Sequence, residues 1–262
     1  MQTAIASPRA QFEADGLYLS PSPVIPTELI ARAVQHMDDV MNCIYDTGVP
    51  VPWRSWNPGD SPTALRKMNE THISDRTIHE LISHPALGRL AAELTGAKMV
   101  QVWATQLLYK PPSSTLEKNS VGWHQDRQYW KYWDGEVFTA WVALSDVTAA
   151  SGPMKLIRGS HHWGEKEGGD FFSSNMDDMR RAIEAQSGAT GKWDEVEAIL
   201  PPGGVSFHHR LTVHGSGQNT STIARRSFAI HLRTERSKAV KDDYYTNSLS
   251  DPQRCPIIYD AR

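Results

Sequence analysis

The sequence predicts a mainly β fold, a sandwich or jelly-roll barrel with helices gathered on its N-terminal side, and three observations carry that prediction. Helical periodicity dominates the first third of the 262 residues. Beyond Gly96, short segments rich in β-branched and aromatic residues follow one another between Gly, Pro and Asn turns. No glycine-rich phosphate loop follows any of them, which argues against alternating βαβ units.

A helix is expected over 27–45, where Thr27 caps a run with apolar residues at Leu29, Ile30, Ala33, Val34 and Met37. A second helical stretch runs from Arg76 to Leu94. It is interrupted near Pro85 and closed by Thr95-Gly96, a glycine suited to the left-handed position after a helix end. The segment Met99 to Tyr109 reads as a strand that stops at Pro111-Pro112. Further strands are expected over Val137–Asp146, Met154–Arg158, Val205–His208, Leu211–His214 and Ser227–Arg233. Residues 164–196 are polar and glycine-bearing, with a helix around Asp177 to Gln186, and suit a surface lid. The expected organisation is one domain, 1–262. It has a helical part to about 97, a β core over about 98–235 carrying that insertion, and a tail over 236–262.

Composition narrows the function. Lys+Arg 27 against Asp+Glu 30 leaves a net charge of −3, with no run of basic residues, so a nucleic-acid partner is not expected. No apolar stretch approaches the ~18 residues of a membrane span. The start, Met1 to Pro8, lacks a cationic residue before an apolar run, and Glu13 and Asp15 speak against a transit peptide. Cys43 and Cys255, without Cys-x-x-Cys, indicate neither disulfide framework nor zinc ribbon, and a cytoplasmic location is the expectation.

The most informative local pattern is Gly122-Trp123-His124-Gln125-Asp126. In an extended segment His124 and Asp126, two residues apart, leave the same face, so an imidazole and a carboxylate converge. His214, on a later strand, is the best-placed third ligand. Two histidines and a carboxylate on one face of an octahedron leave positions open for a cosubstrate and O2, as in non-heme Fe(II) oxygenases. A lone His-x-Asp is weak evidence, the competing reading being a hydrogen-bonded core histidine. Arg225 strengthens the case, since a buried guanidinium offers a planar fork for a carboxylate. Phe228, Ile230 and Leu232 share the parity of Arg226, which puts Arg225 with Ser227, Ala229 and His231 on the opposite face, the barrel lumen.

Together with Ala140-Trp141, Gly159-Ser160-His161 and His214-Gly215-Ser216-Gly217-Gln218-Asn219, these residues resemble the motif series of the phytanoyl-CoA dioxygenase family over about residues 99–234. Phe12-Glu13-Ala14-Asp15-Gly16 also resembles the family's opening. The resemblance implies a double-stranded β-helix (jelly-roll, cupin-like) core and an oxygenase that uses Fe(II), 2-oxoglutarate and O2. It implies that His124, Asp126 and His214 hold iron and that Arg225 clamps the far carboxylate of 2-oxoglutarate. Ser216 matches a hydroxyl assisting Arg225, Trp141 an aromatic packing on the cosubstrate, and Gln106 a further contact that is apolar elsewhere in the family. Hydroxylation with release of succinate and CO2 is the default, and desaturation or oxidative ring closure would use the same oxidant. Asp126 speaks against a halogenase, which carries a small residue there.

Rings crowd the segment after Asp126. Tyr129, Trp130 and Trp133, with Arg127 beside them, are expected as substrate contacts, a wall suited to a ring-shaped or glycosidic small molecule. His208 and His209 are read as supports and His161 as a backbone-bonding residue. The segment from Pro50 to Trp56 is expected to shape specificity at the barrel mouth. The expected substrate is a small metabolite, a natural-product or sugar-bearing scaffold. The alternatives are an acyl-CoA hydroxylase of the same family, a zinc or manganese cupin-like enzyme without 2-oxoglutarate, and a non-catalytic carbohydrate-binding jelly roll.

Overall fold

The computed structural model describes residues 6–113, 119–188 and 191–262. Met1 to Ile5 of the expected leader-free start, and Ala189-Thr190 of the expected lid, lie outside the described residues. The first third holds α1 (Pro8–Asp15), β1 (Leu17–Leu19), α2 (Thr27–Met41), β2 (Trp53–Arg54), β3 (Arg66–Asn69), α3 (Arg76–Ile82) and α4 (Pro85–Thr95). There follow β4 (Met99–Lys110), β5 (Val121–His124), β6 (Trp133–Asp134), β7 (Val137–Ala143), β8 (Met154–Ile157), α5 (Met176–Gln186) and β9 (Glu195–Glu197). The chain closes with β10 (Val205–His209), β11 (His214–Ser216), β12 (Arg225–Thr234), β13 (Lys238–Ala239) and β14 (Ile257–Asp260).

Two antiparallel sheets form the core. The larger runs β1-β10-β7-β12-β4-β3-β2, with β14 also pairing β4, and the smaller runs β5-β11-β8-β9. On β12, Phe228, Ile230 and Leu232 pack outward against Leu29, Ala33 and Met37 of α2, Ile78 of α3 and Leu87 of α4. The opposite face of the large sheet, through Trp141 and Ala229, packs on Met154 and Leu156 of the small one. The parity argument for Arg225 therefore holds in three dimensions, because alternate residues of one strand serve two different cores.

Local chemistry sets the helix ends. Asp75 caps α3 by accepting from the Ile78 N–H at 2.8 Å, and Gly96 ends α4 in the left-handed region at φ 67°. The helix expected over 27–45 stops at Met41. Asn42 N–H turns back to the carbonyls of Asp38 and Asp39, and Cys43 adopts φ 63°.

Other expectations need correction. The first 97 residues are not simply helical, since β1, β2 and β3 join the large sheet, where β3 (Arg-Lys-Met-Asn) takes its pairing from β4. The strand expected over Leu211–His214 begins only at His214, because His209 to Thr212 form a turn closed by Thr212 N–H to His209 carbonyl. Residues 164–196 do not stand off as a lid. Gly122 N–H donates to Phe171 carbonyl and Asp170 N–H to Trp123 carbonyl, so 170–171 run along the edge of β5. Glycine makes this approach possible: a Cβ on Gly122 would lie 2.1 Å from the Asp170 carbonyl oxygen. Helix α5 buries Met179 and Ile183 against Trp123, Ile157 and Val213, and β9 pairs with β8. The tail is likewise built in, as Gln101 donates to the carbonyls of Leu249 and Cys255 and β14 pairs with β4.

His72 fastens this tail. Its Nδ1 meets Thr105 Oγ1 at 2.8 Å and its Nε2 meets the Arg254 carbonyl at 2.9 Å. Full burial is the main reason its pKa falls from 6.5 to about 4. The unfolded chain then takes up the proton first, so stability is lost as pH falls below 6.5 and the loss levels off below about 4. Urea unfolding at pH 7 and pH 4.5 should register about 2–3 kcal/mol less stability at the lower pH from this group. In His72→Gln the drop should shrink by that amount; an unchanged drop would acquit His72.

Candidate metal centre

His124 ends β5 and His214 begins β11, and the two face each other directly across the antiparallel ladder. Asp126 is not on the strand, as a simple alternation would have it. Gln125 is extended at φ −114°, ψ 135°, and Asp126 opens a 3-10 turn over Asp126–Gln128. Its carboxylate nevertheless reaches both imidazoles: the ligand atoms of His124, Asp126 and His214 all lie within 4.8 Å of one another, and all three residues are buried. Gln125 anchors this turn by donating to the carbonyls of Gly164 and Leu211.

The hydrogen bonds fix which atoms are left for a metal. His124 Nδ1 bonds the Gly122 carbonyl at 2.8 Å and His214 Nδ1 the Thr212 carbonyl at 2.9 Å. A carbonyl only accepts, so Nδ1 carries the proton and each Nε2 keeps its lone pair. Burial lowers both histidine pKa values, holding them neutral as ligands must be. Asp126 Oδ2 accepts from Thr139 Oγ1 at 2.8 Å and meets His208 Nε2 at 3.1 Å, while Oδ1 sits 3.7 Å from His214 Nε2. Burial pushes the Asp126 carboxyl up, but His214 and His208 outweigh it and hold the group below the usual carboxylate range. Two neutral imidazoles and a half-free carboxylate suit a divalent iron with open positions.

Thr139→Val is expected to lower Fe(II) affinity roughly 10-fold, within the range usual for removing a bond to a metal ligand. Competition with a chelator measures it; Thr139→Ser should retain affinity, and an unchanged Val variant would reduce Thr139 to packing.

The triad opens onto a cavity of about 310 Å³. Arg225, Ser216, Trp141 and Gln106 all line it. Arg225 is 2% exposed and lies with its Cζ 5.2 Å from the Trp141 ring centre. Its Nη1 donates to the Gly152 carbonyl at 2.5 Å, while its Nε is buried without a partner. Burial lowers its pKa to about 10, which leaves the charge intact at neutral pH. Among the described residues no hydrogen bond joins Ser216 to Arg225; the Ser216 hydroxyl accepts from Lys110 Nζ at 2.5 Å, and Lys110 also donates to the Gly217 carbonyl at 2.6 Å. Burial and then Arg225 depress the Lys110 pKa well below normal. Of the two, Arg225 lines the cavity, where its buried guanidinium suits an anion.

Of the expected substrate contacts, Tyr129 and Trp130 line the cavity. Trp133 and Arg127 do not. Trp133 is fully buried in a cluster with Trp103 and Val137, and Arg127 is spent on Glu165 at 2.6 Å and on the carbonyls of Trp130 and Trp133. His161 bonds the Glu13 carbonyl at 3.2 Å, away from the triad. Trp53 of the 50–56 segment lines a smaller hollow beside Asn69 and Tyr245 rather than the main cavity.

Several lining residues had no signal in the sequence. Lys67 and Asn69 come from β3, Phe171 and Phe172 from the 164–196 segment, and Asp243 and Tyr245 from the tail. Among the described residues the Lys67 ammonium has no hydrogen-bond or ion-pair partner; it rests 4.1 Å from the Phe171 ring centre. Burial lowers its pKa to about 8, opposed by Asp126. Alternation in Arg66–Asn69 could have marked Lys67 and Asn69 as neighbours on one face, had the segment been read as a strand.

The family pattern of phytanoyl-CoA dioxygenase (PhyH) matches residues 18–227. A probable alpha-ketoglutarate-dependent hypophosphite dioxygenase of Stutzerimonas stutzeri is 28% identical over 181 residues, 66% of this chain and 58% of that protein. The chain therefore spans little more than half of that relative's length. Among solved structures, the non-heme alpha ketoglutarate dependent carbocyclase SnoK from nogalamycin biosynthesis superposes with a TM-score of 0.69 at 20% identity, covering 94% of this chain and 91% of that one. The epimerase SnoN in complex with Fe3+, alpha ketoglutarate and nogalamycin RO gives 0.67 at 20% identity, covering 88% and 84%. The larger and smaller sheets are the two halves of the same double-stranded β-helix. With the pattern covering most of its length, this chain belongs to the phytanoyl-CoA dioxygenase family of Fe(II)- and 2-oxoglutarate-dependent oxygenases.

Proposed function

We propose that the protein is an oxygenase that hydroxylates a small-molecule metabolite: substrate C–H, O2 and 2-oxoglutarate become substrate C–OH, succinate and CO2. One observation carries the reading. The buried His124, Asp126 and His214 open onto the same cavity as Arg225, a buried cation with an unpartnered Nε. A carbohydrate-binding module has no need of either feature, and a zinc or manganese enzyme without a keto-acid has no need of Arg225.

Iron bound by the three ligands would activate O2 for oxidation of the keto-acid and the substrate. The chain's own residues do the rest. Thr139 and His208 hold Asp126 through Oδ2, which would leave its other oxygen free for a metal. Arg225, packed on Trp141, would take the far carboxylate of 2-oxoglutarate through its fork. Lys67 adds a second positive charge for a dianionic cosubstrate. Tyr129 and Phe171 stand edge-on to His124, with ring centres at 5.9 and 5.3 Å, and screen the site from water. The substrate is a ring-bearing scaffold of the natural-product type, a reading supported by the ring-lined cavity and by the nogalamycin-pathway proteins that share the fold.

Anaerobic addition of Fe(II) and 2-oxoglutarate should produce the weak visible charge-transfer band of a chelated keto-acid. Protein with stoichiometric Fe(II) that gave no band would defeat the reading.

A further inference from the structure

We propose that the substrate carries a protonated amine, received by the Asp243 carboxylate and the ring faces of Tyr132, Tyr245 and Trp130. This rests on the oxygenase reading above and names the chemistry of its substrate. All four residues line the cavity. They gather near the His231 end of β12, six residues and so about 20 Å along the strand from Arg225.

Several acceptors at this end lack donors. The Thr139 hydroxyl has one proton, which goes to Asp126, so it must accept from His231 Nδ1–H at 3.0 Å. That leaves His231 Nε2 as a bare lone pair, and it is buried with no partner. Asn69 gives its Nδ2 to the Tyr245 hydroxyl at 3.2 Å, and its Oδ1 too is buried and unpartnered. Asp243 Oδ1 accepts from the Tyr245 N–H at 3.1 Å, and among the described residues no cation pairs with the carboxylate. A ligand that satisfies this wall must bring N–H or O–H donors, and positive charge for Asp243.

Rings and field favour charge. Tyr132 and Tyr245 lie nearly parallel at 22°, ring centres 6.1 Å apart, and Tyr132 and Trp130 both stand edge-to-face with Trp103. Aromatic faces beside a carboxylate attract an ammonium, most strongly where water is excluded. The Tyr132 hydroxyl has its pKa raised by burial first and then by Asp243, Tyr245, Asp126 and Glu70, with no cation opposing them. Lys67, a cavity-lining cation with no ion pair among the described residues, sits instead against Phe171 and Phe172. The buried, unpartnered Trp103 Nε1–H is a donor that suits an oxygen elsewhere on the same molecule.

The test is anaerobic titration calorimetry on protein loaded with Fe(II) and 2-oxoglutarate, after the charge-transfer band has been recorded on the same sample. The probes are cyclohexylamine and benzylamine as ammonium ions, against cyclohexanol, benzyl alcohol and methyl β-glucoside. The ammonium probes should bind at least about tenfold more tightly than their neutral counterparts. Asp243→Asn, which keeps the bond to Tyr245 N–H, should erase that preference, and Tyr132→Leu should weaken it. Equal or tighter binding of the neutral probes, no binding by either ammonium, or an unchanged preference in Asp243→Asn overturns the inference. A missing band in wild-type protein defeats the oxygenase reading instead, whatever the probes do.

Discussion

Arg225→Ala is expected to weaken 2-oxoglutarate binding about 100-fold while leaving Fe(II) binding within a few-fold of wild type. Truncating one partner of a buried, hydrogen-bonded charge pair costs roughly 2–5 kcal/mol, and about 3 kcal/mol is two orders of magnitude in a dissociation constant. Among the described residues the guanidinium makes no hydrogen bond or ion pair with the three metal-ligating side chains; it packs on Trp141 and donates to the Gly152 carbonyl. Arg225→Lys should restore little, because an ammonium cannot present two parallel N–H bonds. The same burial predicts that 2-oxoglutarate stabilises the fold, since a carboxylate against Arg225 would offset the cost of burying its charge. Titration of the charge-transfer band against 2-oxoglutarate measures the first effect. A wild-type affinity in Arg225→Ala would remove the clamp from the reading.

Asp126→Ala and His214→Ala are expected to lose Fe(II) by more than 100-fold and to release no succinate. Removing a bond to a ligand typically costs 10–100-fold in metal affinity, so removing the ligand itself must exceed it. Asp126→Ala has an added penalty, because it strands the Thr139 hydroxyl and His208 Nε2 that now converge on Oδ2. Iron content after dialysis is the direct measure. Either variant retaining one iron per chain would exclude that residue from the ligand set.

Much of this site could be read along the chain. The ligands fall in two short motifs, and the alternation of Arg225 with Phe228, Ile230 and Leu232 decides which face each occupies. Helix boundaries that depend on local chemistry were also accessible, as with Pro85 and Gly96. The aromatic wall was legible in composition but not in direction. Tyr129 and Trp130 reach the cavity, whereas Trp133, three residues on, is fully buried and does not line it. Within an irregular 3-10 turn and the loop after it, there is no fixed period by which a sequence could tell those directions apart.

What the sequence alone determined is the residue types and their order: two histidines and a carboxylate suited to a metal, an arginine on the luminal face of its strand, and a β core of alternating strands. Those follow from side-chain identity and from periods of two and 3.6 residues, which are local quantities. Only the tertiary structure decided that β3 and the tail complete the cavity, and that the 164–196 segment runs along β5 rather than over it. It also decided that Ser216 serves Lys110 and that Arg127 is consumed by Glu165. Lys67 and Asn69 lie 55 or more residues before the first metal ligand in the chain, and Asp243 lies 29 residues after the last, in a segment with no period of its own. Their place is set by which surfaces can be buried together and which polar atoms can be paired, and neither is settled until the whole chain has packed.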